Sequence, residues 1–432
     1  MRRRALLTAL ATGGTTAIAG CSSGGGSCEL PPSTVDRPRD RWPTAGYVPT
    51  NTAYAPAGPA ESTVQWLTGR DEGDGEYLIG YFSTPLVGDG QVYTAMLDYD
   101  LFDADTRHDE SGFVVAFDDE TGTEAWRLEL PRLAGGSPSL AGDRLFVGDS
   151  GGGLHAISTD GEFIWTKNLG APARGCTVAG STLYVIDNSG AVHGFTLDGD
   201  RCWQHDPSSV LDGILGGESY AVNSAPAVDA SGVYATVHVN PNSRDDRTAR
   251  VLAFDHGGSQ RWHYDFPASY QPPNTPTVVD GTVVATAGNQ IHAIDAESGD
   301  RQWRFVTGHD HTGAPATDGD RVYVGAKNLY ALSLSDGTEQ WRVVNEATEG
   351  SVGYENGAPF MARPAVTDDA VYLRAGAFDP EDGSRLWGDF ANEHAVEDGV
   401  QRDYGWRPMV SPSVTADALY LAHQTEGVLK LA

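Results

Sequence analysis

The stretch that decides the fold is Val115-Ala116-Phe117-Asp118, followed by Thr121-Gly122 and then Trp126. An apolar run ends on an acidic residue, a Gly turn follows, and a Trp comes soon after. The pattern returns as His155-Ala156-Ile157 with Asp160-Gly161 and Trp165, and as His193-Gly194-Phe195 with Asp198-Gly199 and Trp203. It returns again as Leu252-Ala253-Phe254-Asp255 with Trp262, and as Ile291-His292-Ala293-Ile294-Asp295 with Ser298-Gly299 and Trp303. The last copies are Tyr330-Ala331-Leu332 with Asp336-Gly337 and Trp341, and Ala377-Phe378-Asp379 with Asp382-Gly383 and Trp387. Steps between these Trp residues are 39, 38, 59, 41, 38 and 46 residues, a base period near 40. A repeat of that length marks an array of small units that bury their faces against one another.

Each unit also has an earlier half: a Pro, an apolar residue, an acidic-Gly turn and a second apolar run. Thr84-Pro85-Leu86 leading through Asp89-Gly90 to Val92-Tyr93 is one copy, and others begin at Pro138, Pro226, Pro276, Pro315, Pro364 and Pro412. Four short strands between Gly or Asp turns make one blade of a β-propeller. No helical periodicity separates the strands, which excludes a parallel α/β fold. The unit that starts at Pro412 stops at Val428-Leu429-Lys430-Leu431 without a Trp strand, whereas Thr63-Val64-Gln65-Trp66-Leu67 has no earlier half. Pairing the two ends completes an eighth blade and removes open sheet edges. The sequence therefore predicts an all-β, eight-bladed propeller of four-stranded antiparallel blades over residues 46–432, closed by its N- and C-terminal strands.

Among the 432 residues, 29 Lys and Arg face 59 Asp and Glu, a formal charge of −30, and only Lys167, Lys327 and Lys430 are lysines. Such a surface repels phosphate backbones and excludes a nucleic-acid partner. It suits a protein of an extreme halophile, where salt screens the self-repulsion, or else an acidic partner-binding face. Hydrophobic residues at 40% supply a real core.

Arg2-Arg3-Arg4 precedes a short apolar run that ends in Ile18-Ala19-Gly20-Cys21. Residues 1–20 are expected to be a twin-arginine export signal with a lipobox, leaving Cys21 as the lipidated first residue. Residues 21–45, opening with Ser22-Ser23-Gly24-Gly25-Gly26-Ser27, are expected to form a flexible tether. The mature protein would then sit outside the cell, anchored to the outer face of the cytoplasmic membrane through the lipid on Cys21. Cys28, Cys176 and Cys202 remain. Three thiols make no disulfide framework, and Cys176 and Cys202 would lie about three strands, or about 14 Å, apart, so no bridge between them is expected.

The Asp-x-x-[Thr/Ser]-Gly-x-x-x-Trp signature, clearest from Asp118 to Trp126, Asp295 to Trp303 and Asp379 to Trp387, resembles the docking repeat of the pyrroloquinoline-quinone-type (PQQ-like) β-propeller family. The leader from Trp42-Pro43 through Asn51-Thr52-Ala53-Tyr54 to Trp66 looks like that family's approach to its closing strand. The resemblance covers about residues 42–432. It implies that Trp66, Trp126, Trp165, Trp203, Trp262, Trp303, Trp341 and Trp387 are structural, each docked on the neighbouring blade. The family holds quinone-dependent alcohol and sugar dehydrogenases alongside non-enzymatic scaffolds such as the bacterial outer-membrane assembly lipoprotein, and a shared fold does not choose between them. The enzymes hold the quinone (PQQ) and a Ca²⁺ at the funnel mouth beside a general-base Asp. No Glu, Asn and Asp set of that kind maps onto this chain, the adjacent-cysteine disulfide of many alcohol-oxidising members is missing, and no catalytic residue is assigned.

The reading favoured by the sequence is a lipid-anchored, monomeric binding or assembly scaffold for a protein partner at the cell surface. The alternative is a PQQ-dependent alcohol or sugar dehydrogenase, or a degenerate relative. Loops leading into the innermost strands should ring the channel mouth, and they carry Arg174, Asn223, Asn274, Arg363 and Arg407. Arginines gathered in so acidic a chain suit an anionic ligand or a partner carboxylate, although pairing with local Asp or Glu is the plainer expectation. His309-Asp310-His311 occupies an equivalent loop and has metal-ligating chemistry, but no further ligand is identifiable. The acidic insertion from Asp98 to Glu110 lacks EF-hand spacing and is expected to be a solvated face.

Overall fold

Short apolar runs rich in Val, Tyr and Phe, each stopped by a Gly or Asp turn, can only form short antiparallel strands. The computed structural model describes residues 28, 38–60, 63–68, 80–98, 112–207, 218–243, 246–267, 271–308, 311–344, 362–373, 376–387, 410–423 and 427–432. Their strands form eight antiparallel sheets, the blades of a propeller. The second blade shows the unit: Ser139–Ala141, Arg144–Gly148, Gly153–Ser158 and Phe163–Asn168, from the axis outward. Two blades add a strand beyond the expected four: Gly80–Phe82 in the first and Tyr220–Ala221 in the fourth. No helix among the described residues is long and apolar enough to cross a membrane.

The eighth blade combines Ser413–Val414, Leu419–His423 and Gly427–Leu431 with Val64–Leu67 as its outer strand. Trp66 pairs with Lys430 and Leu67 with Leu429, and Thr63 and Ala432 exchange two backbone hydrogen bonds of 3.0 Å. A side-chain clasp joins this blade to the first: Lys430 Nζ and the Tyr420 hydroxyl both donate to Asp119 Oδ1, at 2.8 and 2.7 Å.

Neighbouring blades meet through Trp and Gly. The Trp66 indole lies over Gly122, where φ is 72° and a Cβ would come within 2.7 Å of the ring. Trp126 lies in the same way over Gly161, Trp165 over Gly199, Trp203 over Gly258, Trp262 over Gly299, Trp303 over Gly337 and Trp341 over Gly383. Six of these indoles also donate to a backbone carbonyl of the next blade, as Trp66 does to Asp119 O at 2.8 Å and Trp126 to Thr159 O at 2.8 Å. The turn must be Gly because any side chain would displace the ring.

The leader is no mere approach to the closing strand. Residues 39–55 run around the axis, and seven blades donate backbone N–H groups to them, six from their innermost strands and the eighth blade from the turn after its own. Ala416 donates to Arg39 O, Val87 to Trp42 O, Leu140 to Pro43 O, Val228 to Pro49 O, Val278 to Thr50 O, Thr317 to Thr52 O and Val366 to Ala53 O, at 2.7–3.0 Å. Trp42, Tyr47 and Val48 are buried there, while Tyr47, Asn51 and Ala53 hold φ of 69°, 57° and 52°. The expected tether boundary at residue 45 thus falls inside a stretch already bound to the ring.

The cysteine expectation also needs correcting. Cys28 and Cys202 form a disulfide with Cα atoms 5.7 Å apart, fastening Cys28 to the outer strand Arg201–His205 of the third blade. A separation of 174 residues hides that proximity from any reading of spacing. Cys176 is free and buried, its thiol pushed up to about 12 by burial and donating to Phe146 O at 3.2 Å.

Candidate functional site

Eight innermost strands enclose an axial cavity of about 300 Å³. Its wall takes one segment from each blade, at Thr84, Pro138, Arg174, Asn223, Asn274, Gly313, Arg363 and Ser411, and its floor is the leader at Thr44, Ala45 and Asn51. No feature of the sequence marks the floor. Nothing in a Thr or an Asn of the leader distinguishes it until the chain is seen to circle the axis.

Of the residues singled out in the sequence, Arg174, Asn223, Asn274 and Arg363 come together on this cavity. His311 precedes the wall segment at Gly313 and does not line the cavity. Cys21, His309, Arg407 and the insertion from residue 99 to 110 lie outside the described residues. The four that converge differ in what they are free to do. Asn274 is a strut: its Nδ2 donates to Thr286 Oγ1 at 3.0 Å and to Thr312 O at 2.8 Å, tying the fifth blade to the sixth. Asn223 is exposed to the opening.

Arg363 is buried and Arg174 half-buried. Arg363 is 5% exposed, with Nη2 donating to Thr275 O at 3.2 Å and Nε without a partner. Arg174 Nε is likewise buried without a partner, as is the Thr44 hydroxyl on the floor. Among the described residues neither arginine forms an ion pair, and no Asp or Glu lines the cavity. Burial alone therefore sets their titration, lowering Arg174 and bringing Arg363 down to about 10, so both stay charged near neutrality. Packing fixes Arg363 in place, since a Cβ on Gly46 would sit 2.6 Å from its Nη1.

Two buried Asp–His pairs lie elsewhere in the ring. Asp149 Oδ2 meets His155 Nε2 at 2.9 Å and Asp187 Oδ2 meets His193 Nε2 at 2.8 Å. Asp149 Oδ1 accepts from Gly151 N and Gly153 N at 2.8 and 2.7 Å. Burial works to raise its pKa, but the bonds from His155 and Gly153 prevail and hold the carboxyl below its usual range. These carboxylates are spent on holding turns.

The lining decides how the quinone and its metal would fit. Ca²⁺ needs several oxygen ligands, carboxylates foremost. The described lining offers amides, hydroxyls and two guanidinium groups, and the latter repel a dication. A planar quinone needs an aromatic or similarly flat platform, and among the described residues no aromatic side chain lines the cavity. Among the described residues no group of three His, Cys, Asp or Glu is placed to hold a metal ion. The residues here fit an anion and do not fit the quinone–Ca²⁺ pair, so no reaction step is derived through either.

No curated protein sequence matches the chain significantly. Among solved structures, quinohemoprotein alcohol dehydrogenase from Comamonas testosteroni superposes with a TM-score of 0.64 at 15% identity, covering 91% of this chain and 80% of that one. BamB from Moraxella catarrhalis superposes with a TM-score of 0.51 at 18% identity, covering 86% of this chain and 97% of that one. The computationally designed Ika8 protein does so with a TM-score of 0.57 at 12% identity, over 82% and 97%. At such identities these likenesses speak for the fold alone. The family model described as outer membrane protein assembly factor BamB matches residues 110–238 and 218–431, most of the ring. The chain belongs to the PQQ-like β-propeller family of the outer membrane protein assembly factor BamB.

Proposed function

We propose that this protein is an exported, lipid-anchored propeller that acts as a binding and assembly scaffold for a partner at the cell surface. The observation that carries the reading is the Cys28–Cys202 disulfide. Such bonds persist in oxidising compartments outside the cytoplasm, and this one starts seven residues after the cysteine of the lipobox. An extended chain covers at most about 3.6 Å per residue, so the outer strand of the third blade is held within about 25 Å of the lipid. The propeller is therefore moored by its rim, with the third blade toward the membrane and the opposite rim presented outward. Membership of the BamB family supports a scaffold role, and a described cavity lining without carboxylates or aromatic rings weighs against a dehydrogenase.

The anchor is testable by fractionation in high salt. Cys21→Ser should move the protein from the membrane fraction into the medium, or leave it unprocessed. Mature protein that stays on the membrane after that change would refute the lipid anchor. Dye-linked alcohol or sugar oxidation after loading with quinone and Ca²⁺ would refute the scaffold reading.

A further inference from the structure

Arg174 and Arg363 enter the cavity from the third and seventh blades, which stand opposite each other in a ring of eight. A guanidinium taken out of water without a counter-ion is costly, and this protein keeps one buried (Arg363) and one half-buried (Arg174) on one cavity while its 59 acidic residues leave the described lining untouched. Beside them, the Thr44 hydroxyl, like the Nε atoms of Arg174 and Arg363, is buried without a partner. Each guanidinium presents donors in the planar fork that matches an oxyanion. The volume is worth about ten waters at about 30 Å³ each, too much for a single phosphate or halide to bridge opposite walls.

We infer that the axial cavity is a binding site for a small organic dianion of the dicarboxylate class, one carboxylate held by Arg174 and the other by Arg363, with the Thr44 hydroxyl as a further donor. The protein as a whole repels anions, so selectivity comes from this site alone, and molar salt assists entry by screening the −30 charge. The inference is independent of the membrane anchor and of any protein partner.

The test is calorimetric titration of the full chain, in detergent at constant high ionic strength, with succinate, glutarate and adipate against acetate and inorganic phosphate. One of the dicarboxylates should bind at a single saturable site, at least about tenfold more tightly than acetate or phosphate. Arg174→Gln should weaken that binding about tenfold or more, the size of one lost charged hydrogen bond, with Arg174→Lys falling between. The melting temperature of Arg174→Gln without ligand should not fall below the parent value, since the change removes an unpaired charge, separating lost binding from lost folding. Because Arg363 is packed against the leader and its replacement risks the fold, the Arg174 series decides. Absence of saturable dicarboxylate binding, equal binding by Arg174→Gln, or acetate or phosphate binding as tightly as the best dicarboxylate would each overturn the inference.

Discussion

At the scale of single residues, the ring depends on a Trp and a Gly that have no room for each other's substitutes. Trp66→Ala should cost about 3–5 kcal/mol, the usual range for a truncated buried Trp. Gly122→Ala should cost about 2–4 kcal/mol, combining a left-handed backbone with an overpacked ring contact. The two should not add. Once the indole is gone only the backbone penalty of about 1–2 kcal/mol remains at Gly122, and a double-mutant cycle by denaturant unfolding measures the difference. His292 gives a pH-dependent counterpart. Burial, reinforced by Arg301 and Arg304, lowers its pKa to about 3. The folded state thus refuses a proton that the unfolded chain accepts below about pH 6.5. Stability from this group is complete above pH 6.5 and drains away below it, by up to about 1.4 kcal/mol per pH unit down to about pH 3. Replacing His292 with Gln should flatten the stability curve between pH 6.5 and 4; an unchanged slope there would show that other groups control it.

At the scale of elements, the outer strand Val64–Leu67 is worth more than its four residues suggest, because it covers the edge of the last blade and carries the first docking Trp. Deleting residues 61–68 should lower the melting temperature far more than deleting residues 22–27. Leu67→Cys with Leu429→Cys should form a disulfide under oxidation, since the two face each other across adjacent strands. Failure to crosslink would mean that the closing register is wrong. Blades and closure were legible in the sequence because Trp, Gly and Asp recur at fixed offsets imposed by local sterics. The wall of the cavity was legible for the same reason: Arg174, Asn223, Asn274 and Arg363 stand at corresponding places in their repeats. The floor, the extra strands of the first and fourth blades, and the Cys28–Cys202 bridge were not. Each depends on contacts between segments that share no repeat phase, so period and spacing carry no trace of them.

At the scale of the whole molecule, the charge of −30 makes salt part of the stability. Without Arg2, Arg3 and Arg4 it would be −33. Repulsion acts over about 10 Å at 0.1 M salt and only about 3 Å at 1 M, so the melting temperature should climb steeply between those concentrations. A flat profile would contradict this account of the acidic surface. The circling leader has a consequence of another kind, for the order of events in the cell. Residues 39–55 leave the ribosome before any blade, yet they take hydrogen bonds from residues as late as Ala416, and Thr63 waits for Ala432. Contacts so distant in sequence make folding slow and keep it from finishing during synthesis. The hub of the wheel is made before its rim and is trapped when the rim closes, so the completed molecule cannot be threaded through a narrow pore without being taken apart. A chain built in this way suits a transport route that carries its cargo already folded.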